Sequence, residues 1–281
     1  FQRDIHATSI RHLSRKCPRR EQLERLLLTA EARGLATALM PIVLLEEAGP
    51  KDWRGVIEPA DWDRWWASYD RFLLAHADLA EATGVDLFCV GSELNSTQTQ
   101  RDRWGSLISR VRGRFSGQLA YSANWDKYDS VTFWDLVDVM AVSSYFELGE
   151  RGDDAAAIAA AWPARIEPLL RHASRAGRPL LLSEVGYPSL PWANVYPWNY
   201  VADDDVPTDH VAQARCFQAF FSAWTRHFLD AGGPAAGLFC YHWDPYHRGQ
   251  AWDRGYGFDG KPALEVIREA FRRLAAASDD A

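Results

Sequence analysis

A chain of 281 residues has room for two small domains or one large α/β barrel. Its 31 Lys and Arg against 38 Asp and Glu leave a net charge of −7, with 25% charged and 47% hydrophobic residues. That balance is ordinary for a globular protein and disfavours disorder, collagen-like repeats and a nucleic-acid-coating role.

Residues 20–33 set Leu23, Leu26, Leu27 and Ala30 on one helical face ahead of Gly34, and the apolar run 35–45 follows as a buried strand. The unit recurs. Trp62, Trp65, Trp66, Tyr69, Phe72, Leu73 and Leu79 line a second helix before Gly84 and the strand 85–90. A third helix carries Trp104, Leu107, Ile108 and Val111, stops near Gly113 and leads to a strand at 118–122. Further strands are predicted at 137–143, 179–185 and 236–243, separated by an Ala-rich segment at 155–176 and a helix around 210–229. A last helix starts at Pro262, a residue suited to the first helical position.

Short, fully apolar strands alternating with amphipathic helices specify a parallel sheet with helices outside it. No Gly/Ser linker or composition break divides the chain, so a single domain over 1–281 is expected. The choice lies between a (β/α)8 TIM barrel and a doubly wound sheet. The chain has no Gly-rich phosphate turn, and polar or aromatic residues follow the strands at Glu93, Asn124-Trp125, Tyr145, Glu184 and Trp243-Asp244. In a barrel such residues share the mouth where catalytic groups sit.

Glu93 closes the run Leu87-Phe88-Cys89-Val90-Gly91-Ser92, and Glu184 closes Leu180-Leu181-Leu182-Ser183. Two partly desolvated carboxyls can divide labour, one protonated as general acid and one ionised as nucleophile. This is the equipment of glycoside hydrolysis, where a gap of about 5–5.5 Å gives retention and about 6.5–9.5 Å inversion. The 13 Trp, 10 Tyr and 13 Phe fit that chemistry, because flat amphipathic rings serve a thick core or a carbohydrate cleft. Trp243 ends the last strand, Trp125 and Tyr145 occupy comparable positions, and Trp252 follows in the next loop. The insertion 186–209 adds Trp192, Tyr196, Trp198 and Tyr200 among prolines, which reads as an ordered wall.

Other signals point elsewhere more weakly. The basic cluster Arg11, Arg15, Lys16, Arg19, Arg20 and Arg25 reads as a solvated face, and nucleic-acid binding would need a wider stripe. Asp203-Asp204-Asp205 with Asp209 and His210, or His242 with Asp244 and His247, could be read as metal ligands, but neither matches a calcium-loop or HExxH spacing, so no metal is expected. The cysteines Cys17, Cys89, Cys216 and Cys240 form no CxxC pair. No stretch approaches the ~18 apolar residues of a membrane span, and no Gly-x-Ser-x-Gly elbow is present.

Three motifs together resemble glycoside hydrolase family 113, which includes β-mannanases of the retaining (β/α)8-barrel clan. They are Val90-Gly91-Ser92-Glu93-Leu94, Ser183-Glu184-Val185-Gly186-Tyr187, and Tyr241-His242-Trp243-Asp244 followed by Gly255-Tyr256-Gly257 and Gly260-Lys261-Pro262-Ala263. The resemblance implies that Glu93 is the acid/base and Glu184 the nucleophile, with Tyr145 donating to the nucleophile. It further implies that Trp243 floors the sugar site, that Asn124, Trp125 and Asp244 line it, and that Gln2 matches a polar residue after the second strand. Where relatives carry Lys-Pro-His after the third strand, this chain has Met40-Pro41-Ile42. On that register the strands are the third to eighth, and the coding sequence is expected to extend upstream by two strand–helix units.

The expected activity is retaining hydrolysis of β-linked hexose poly- or oligosaccharides by double displacement. It calls for a carbohydrate substrate, no cofactor, no nucleic acid, no membrane and no obligate protein partner. The alternatives are a catalytically inactive carbohydrate-binding barrel and a metal-dependent hydrolase.

Overall fold

Apolar runs bounded by helix-forming segments leave the backbone one economical solution, buried parallel strands joined by helices. The computed structural model describes residues 1–226, 235–244 and 248–279, and shows that alternation. These residues fall into two compact units, Phe1–Val142 with Ala176–Arg178, and Ser143–Arg175 with Pro179–Ala281.

The first unit holds helices α1 (Arg20–Glu31), α2 (Trp62–Ala82) and α3 (Arg101–Arg112), and strands β1 (Ala38–Leu39), β2 (Leu87–Ser92) and β3 (Gln118–Asn124). Strand β4 (Val139–Ser143) runs to its boundary. β1 pairs with β2 in parallel at Ala38 opposite Leu87, and β2 with β3 at Phe88 opposite Leu119, with a register shift between Cys89 and Ser92. Asp61 caps α2 by accepting from the Arg64 N–H at 3.1 Å.

The core is aromatic. Trp65 stacks on Tyr69 with ring centroids 5.0 Å apart, Trp104 stacks on Phe133 at 4.8 Å, and Trp66 meets Trp104 edge-on at 5.1 Å. The Tyr69 hydroxyl donates to Val90 O at 2.7 Å, tying α2 to β2. Outside this core, Asp63, Asp70 and Asp78 from α2 pair with Arg103, Arg110 and Arg114.

The second unit holds α4 (Ala155–Ala161), α5 (Pro163–Ala176, its last residue counted with the first unit), α6 (His210–Trp224) and α7 (Pro262–Asp279), with strands β5 (Leu180–Val185) and β6 (Ala235–Cys240). β5 and β6 are parallel, with Leu182 opposite Leu238. Asp209 caps α6 by accepting from Ala212 N at 2.8 Å. The α6 residues Phe217, Phe220, Phe221 and Trp224 are buried.

Several elements differ from expectation for local reasons. The run 35–45 forms a ladder only at Ala38–Leu39. Pro41 has no N–H to continue it, and the chain instead meets the N-terminal segment, where Gln2 N donates to Leu44 O at 2.9 Å. The face expected on α1 is buried only at Leu27, while Leu26 is 64% exposed. The Ala-rich segment breaks in two at Pro163, which opens α5 at a position that needs no donor. β4 begins at Val139, not 137, because Trp134–Leu136 forms a 3-10 turn. Residues 227–229 of the helix expected around 210–229, and His247, lie outside the described residues.

Candidate active site

In the first unit, β2 delivers Glu93 to the edge of the aromatic core. Gly91 precedes it because no side chain fits there: an added Cβ would stand 2.8 Å from the Trp104 ring and 3.0 Å from Tyr121. Glu93 itself has φ +52°, a left-handed conformation uncommon for a residue with a side chain. Its N–H donates to Ser122 O at 2.8 Å, so the turn is anchored to β3. The carboxylate is buried, at 7% side-chain exposure, and Oε2 accepts from Arg54 Nη2 at 2.6 Å.

In the same unit, Asn124 is buried at the end of β3 and donates to Asp126 Oδ1 at 2.9 Å, while Trp125 is half-buried. Gln2 is wholly buried. Its Oε1 accepts from Trp65 Nε1 at 2.8 Å and its Nε2 donates to Asp4 O at 2.7 Å, so it braces the N-terminal segment against the core. Met40, Pro41 and Ile42 line a cavity of about 540 Å³ with Ile10, Leu39 and Phe72.

In the second unit, Glu184 lies inside β5, buried, and its Oε2 accepts from the Tyr145 hydroxyl at 2.6 Å. Burial, then the neighbouring Glu184 charge, pushes the Tyr145 phenol well above its ordinary value. It therefore stays a donor at any working pH. Ser144 fixes the strand by donating both N–H and Oγ–H to Glu184 O, each at 2.7 Å. Behind Tyr145, the Tyr241 and Tyr256 rings stand edge-on at 6.4 and 5.8 Å. Gly186 lets the chain pass Tyr241, whose carbonyl would lie 2.7 Å from an added Cβ.

The insertion 186–209 is held from several sides. Asn194 donates to Leu148 O and Glu150 O, and Arg254 donates to the carbonyls of Asp203 and Asp204. Lys261 is fully buried and donates to Ser189 Oγ at 2.9 Å and Gly255 O at 3.0 Å. Its Nζ also stands 3.0 Å from Asp253 Oδ2, a charge contact outside hydrogen-bond geometry. Burial pulls this ammonium below the ordinary lysine value.

The wall carries exposed rings. Trp198 is 43% exposed, Trp243 54% and Trp252 65%. Trp192 is half-buried, donates to Asn199 O and lies under Arg151. By contrast Trp65, Trp66, Trp104, Trp134, Trp162 and Trp224 are core.

Asp244 is half-buried with Oδ2 3.9 Å from His242 Nε2, and burial lowers the His242 imidazole. Asp209 is occupied as the α6 cap and His210 contacts Asp253 O. Among the described residues no three His, Cys, Asp or Glu side chains gather as a metal site, and no helix is long and apolar enough to cross a membrane.

Sequence reasoning did not single out Arg54, Ser144 or the Lys261–Asp253 pair. Arg54 belongs to a 3-10 turn, Arg54–Val56, with no periodicity to flag it. Its one cue is a cation set between Trp53 and Gly55-Val56-Ile57.

Each unit thus holds one buried glutamate at a strand end, the residue type that glycoside hydrolases use in pairs. The chain matches the model of Glycoside Hydrolase Family 113 over residues 1–261 and belongs to that family. Among solved structures it is similar to the GH113 β-mannanase AaManA from Alicyclobacillus acidocaldarius in complex with ManMIm. The two are 26% identical with a TM-score of 0.82, covering 98% of this chain and 84% of that one. A GH113 β-1,4-mannanase shares the fold at TM-score 0.82 and 24% identity, covering 96% of this chain and 84% of that one. A fungal β-1,4-galactanase shares it more distantly, at TM-score 0.58 and 16% identity, covering 95% of this chain and 86% of that one. No curated protein matches the chain.

Proposed function

We propose that this protein is a retaining β-mannanase-type enzyme that cleaves β-linked hexose polymers or oligomers by double displacement. The observation that carries the reading is the buried Glu184 carboxylate with Tyr145 donating to it at 2.6 Å, in a chain of family 113. A carboxylate oriented by a donor that does not titrate is suited to attack an anomeric carbon. The β-mannanases among the similar structures support a mannan-type substrate. Their likeness also supports taking the α/β repeats as those of one (β/α)8 glycosidase domain.

In the first step Glu184 attacks the anomeric carbon, the glycosidic C–O bond breaks, and Glu93 gives its proton to the departing oxygen. In the second, water attacks the anomeric carbon, the bond to Glu184 breaks with its electron pair returning to the carboxylate, and Glu93 takes the water proton. Trp243 offers a ring face to the sugar beside the scissile bond, with Asn124, Trp125 and Asp244 lining its polar edge. Trp192, Trp198 and Trp252 suit more distant sugars. Gln2 enters only as a buried brace. The chain's residues supply both proton transfer and nucleophile, so the steps need no cofactor.

The test is cleavage of β-mannan, β-glucan and β-xylan oligomers by the purified protein, with and without chelator, and by Glu184→Gln. Turnover on mannan oligomers, first release of the β-anomer by NMR, and loss of turnover in the variant are expected. Release of the α-anomer would overturn retention. Binding without cleavage would make the protein a carbohydrate-binding module, and chelator-sensitive cleavage a metal-dependent hydrolase.

A further inference from the structure

We propose that Arg54 is a positioning residue for Glu93, one that holds its carboxylate for the base half of the reaction. The inference rests on the acid/base assignment of Glu93 above. Glu93 leaves β2 on a left-handed backbone and carries a flexible side chain, so the backbone alone does not fix its carboxyl group. Arg54 supplies a charged constraint, with Nη2 2.6 Å from Oε2. Side-chain exposures of 17% and 7% keep solvent and salt from screening the pair. Its Nε is buried and makes no hydrogen bond among the described residues, so the Nη2 contact with Glu93 is the charge-assisted bond that compensates the burial of this guanidinium.

The charge state says which half-reaction gains. A guanidinium is always charged and donates only, so it pairs with an ionised carboxylate. In double displacement Glu93 is neutral when it meets the leaving oxygen and ionised once that proton has gone. Water then attacks the glycosyl-enzyme, the C–O bond to Glu184 breaks, and the water proton passes to Glu93. The Arg54 contact belongs to this second state.

The test uses an aryl β-mannoside with a good leaving group, for which breakdown of the glycosyl-enzyme limits kcat. Wild type, Glu93→Ala, Arg54→Met and Arg54→Lys are compared with and without azide, a nucleophile that brings no proton to remove. General base catalysis is worth about 10²–10⁴-fold, and misplacing the base forfeits part of it. Arg54→Met should lower kcat by about 10–100-fold, lower KM with it, and show a burst of aryl alcohol. Azide should restore its kcat and give β-mannosyl azide, as in Glu93→Ala, while Arg54→Lys should recover part of the rate unaided. A wild-type kcat in Arg54→Met overturns the proposal, as does a loss that azide leaves unrepaired in Arg54→Met while it rescues Glu93→Ala. If azide fails to rescue Glu93→Ala, the acid/base assignment itself falls. Should Arg54→Met not fold, Arg54→Gln is read by the same criteria.

Discussion

Replacing Lys261 with Met tests whether the wall of the second unit hangs on one buried charge. The substitution keeps most of the side-chain volume but removes the donors to Ser189 Oγ and Gly255 O, and strips Asp253 of its cation. Asp253 keeps only the Gly255 N–H, which reaches Oδ1 at 2.9 Å. Leaving one member of a buried pair alone costs about 3–5 kcal/mol. With an unfolding entropy of about 2.1 cal/mol/K per residue, the 281 residues correspond to about 0.6 kcal/mol/K. Tm should therefore fall by about 5–8 °C if the chain melts as one body, and by roughly double if the second unit melts alone. Differential scanning calorimetry reads both cases. Adding Asp253→Asn removes the orphaned charge and keeps the Oδ1 acceptor, so the double variant should regain more than half of the loss. A fall below about 2 °C, or a double variant no better than the single one, would refute the reasoning.

Tyr145→Phe removes a hydrogen bond to a charged group, worth about 1.5–3 kcal/mol. The loss in kcat should be about 10–100-fold, and constant from pH 5 to 9 because the phenol does not ionise there. His242 is held below its ordinary value by burial. As pH falls through the window beginning near 6.5, the unfolded chain takes the proton first and the folded state loses stability. His242→Gln should therefore flatten the dependence of Tm on pH between 7.5 and 5. At position 93, φ +52° suits glycine better than alanine. Glu93→Gly should be more stable than Glu93→Ala by about 1 kcal/mol in denaturant titration, with both lacking acid/base function.

The sequence made the alternation of elements legible because the strands are buried on both faces, so that runs such as Leu180-Leu181-Leu182 stand out without a partner in view. The same feature made 35–45 too long a strand, since an apolar run says nothing of where Pro41 withdraws a donor. Glu93 and Glu184 stood out as charges ending apolar runs. Arg54 did not, because its meaning comes from a carboxylate 39 residues on, and no local pattern encodes that pairing. Lys261 read as part of a loop motif, and its burial appeared only with Ser189, Asp253 and Gly255 folded around it. The aromatic surplus divided in the same way: position along a helix marked Trp65 and Trp104, whereas the exposure of Trp243 and Trp252 depends on loops.

The three charge pairs between α2 and the α3 segment contribute little as glue, since exposed pairs are worth about 0–1 kcal/mol each. They work as an alignment key. Asp63 and Asp70 are spaced by the same seven positions as Arg103 and Arg110, about 10.5 Å on each helix. The third pair, Asp78 with Arg114 just past the end of α3, breaks that period. Sliding either helix by one turn, about 5.4 Å, brings at most one of the three aspartates back opposite an arginine, and no other offset satisfies all three. β2 lies between these helices in the chain, so the height at which residue 93 emerges is set by a lock whose teeth are all on the outside of the molecule.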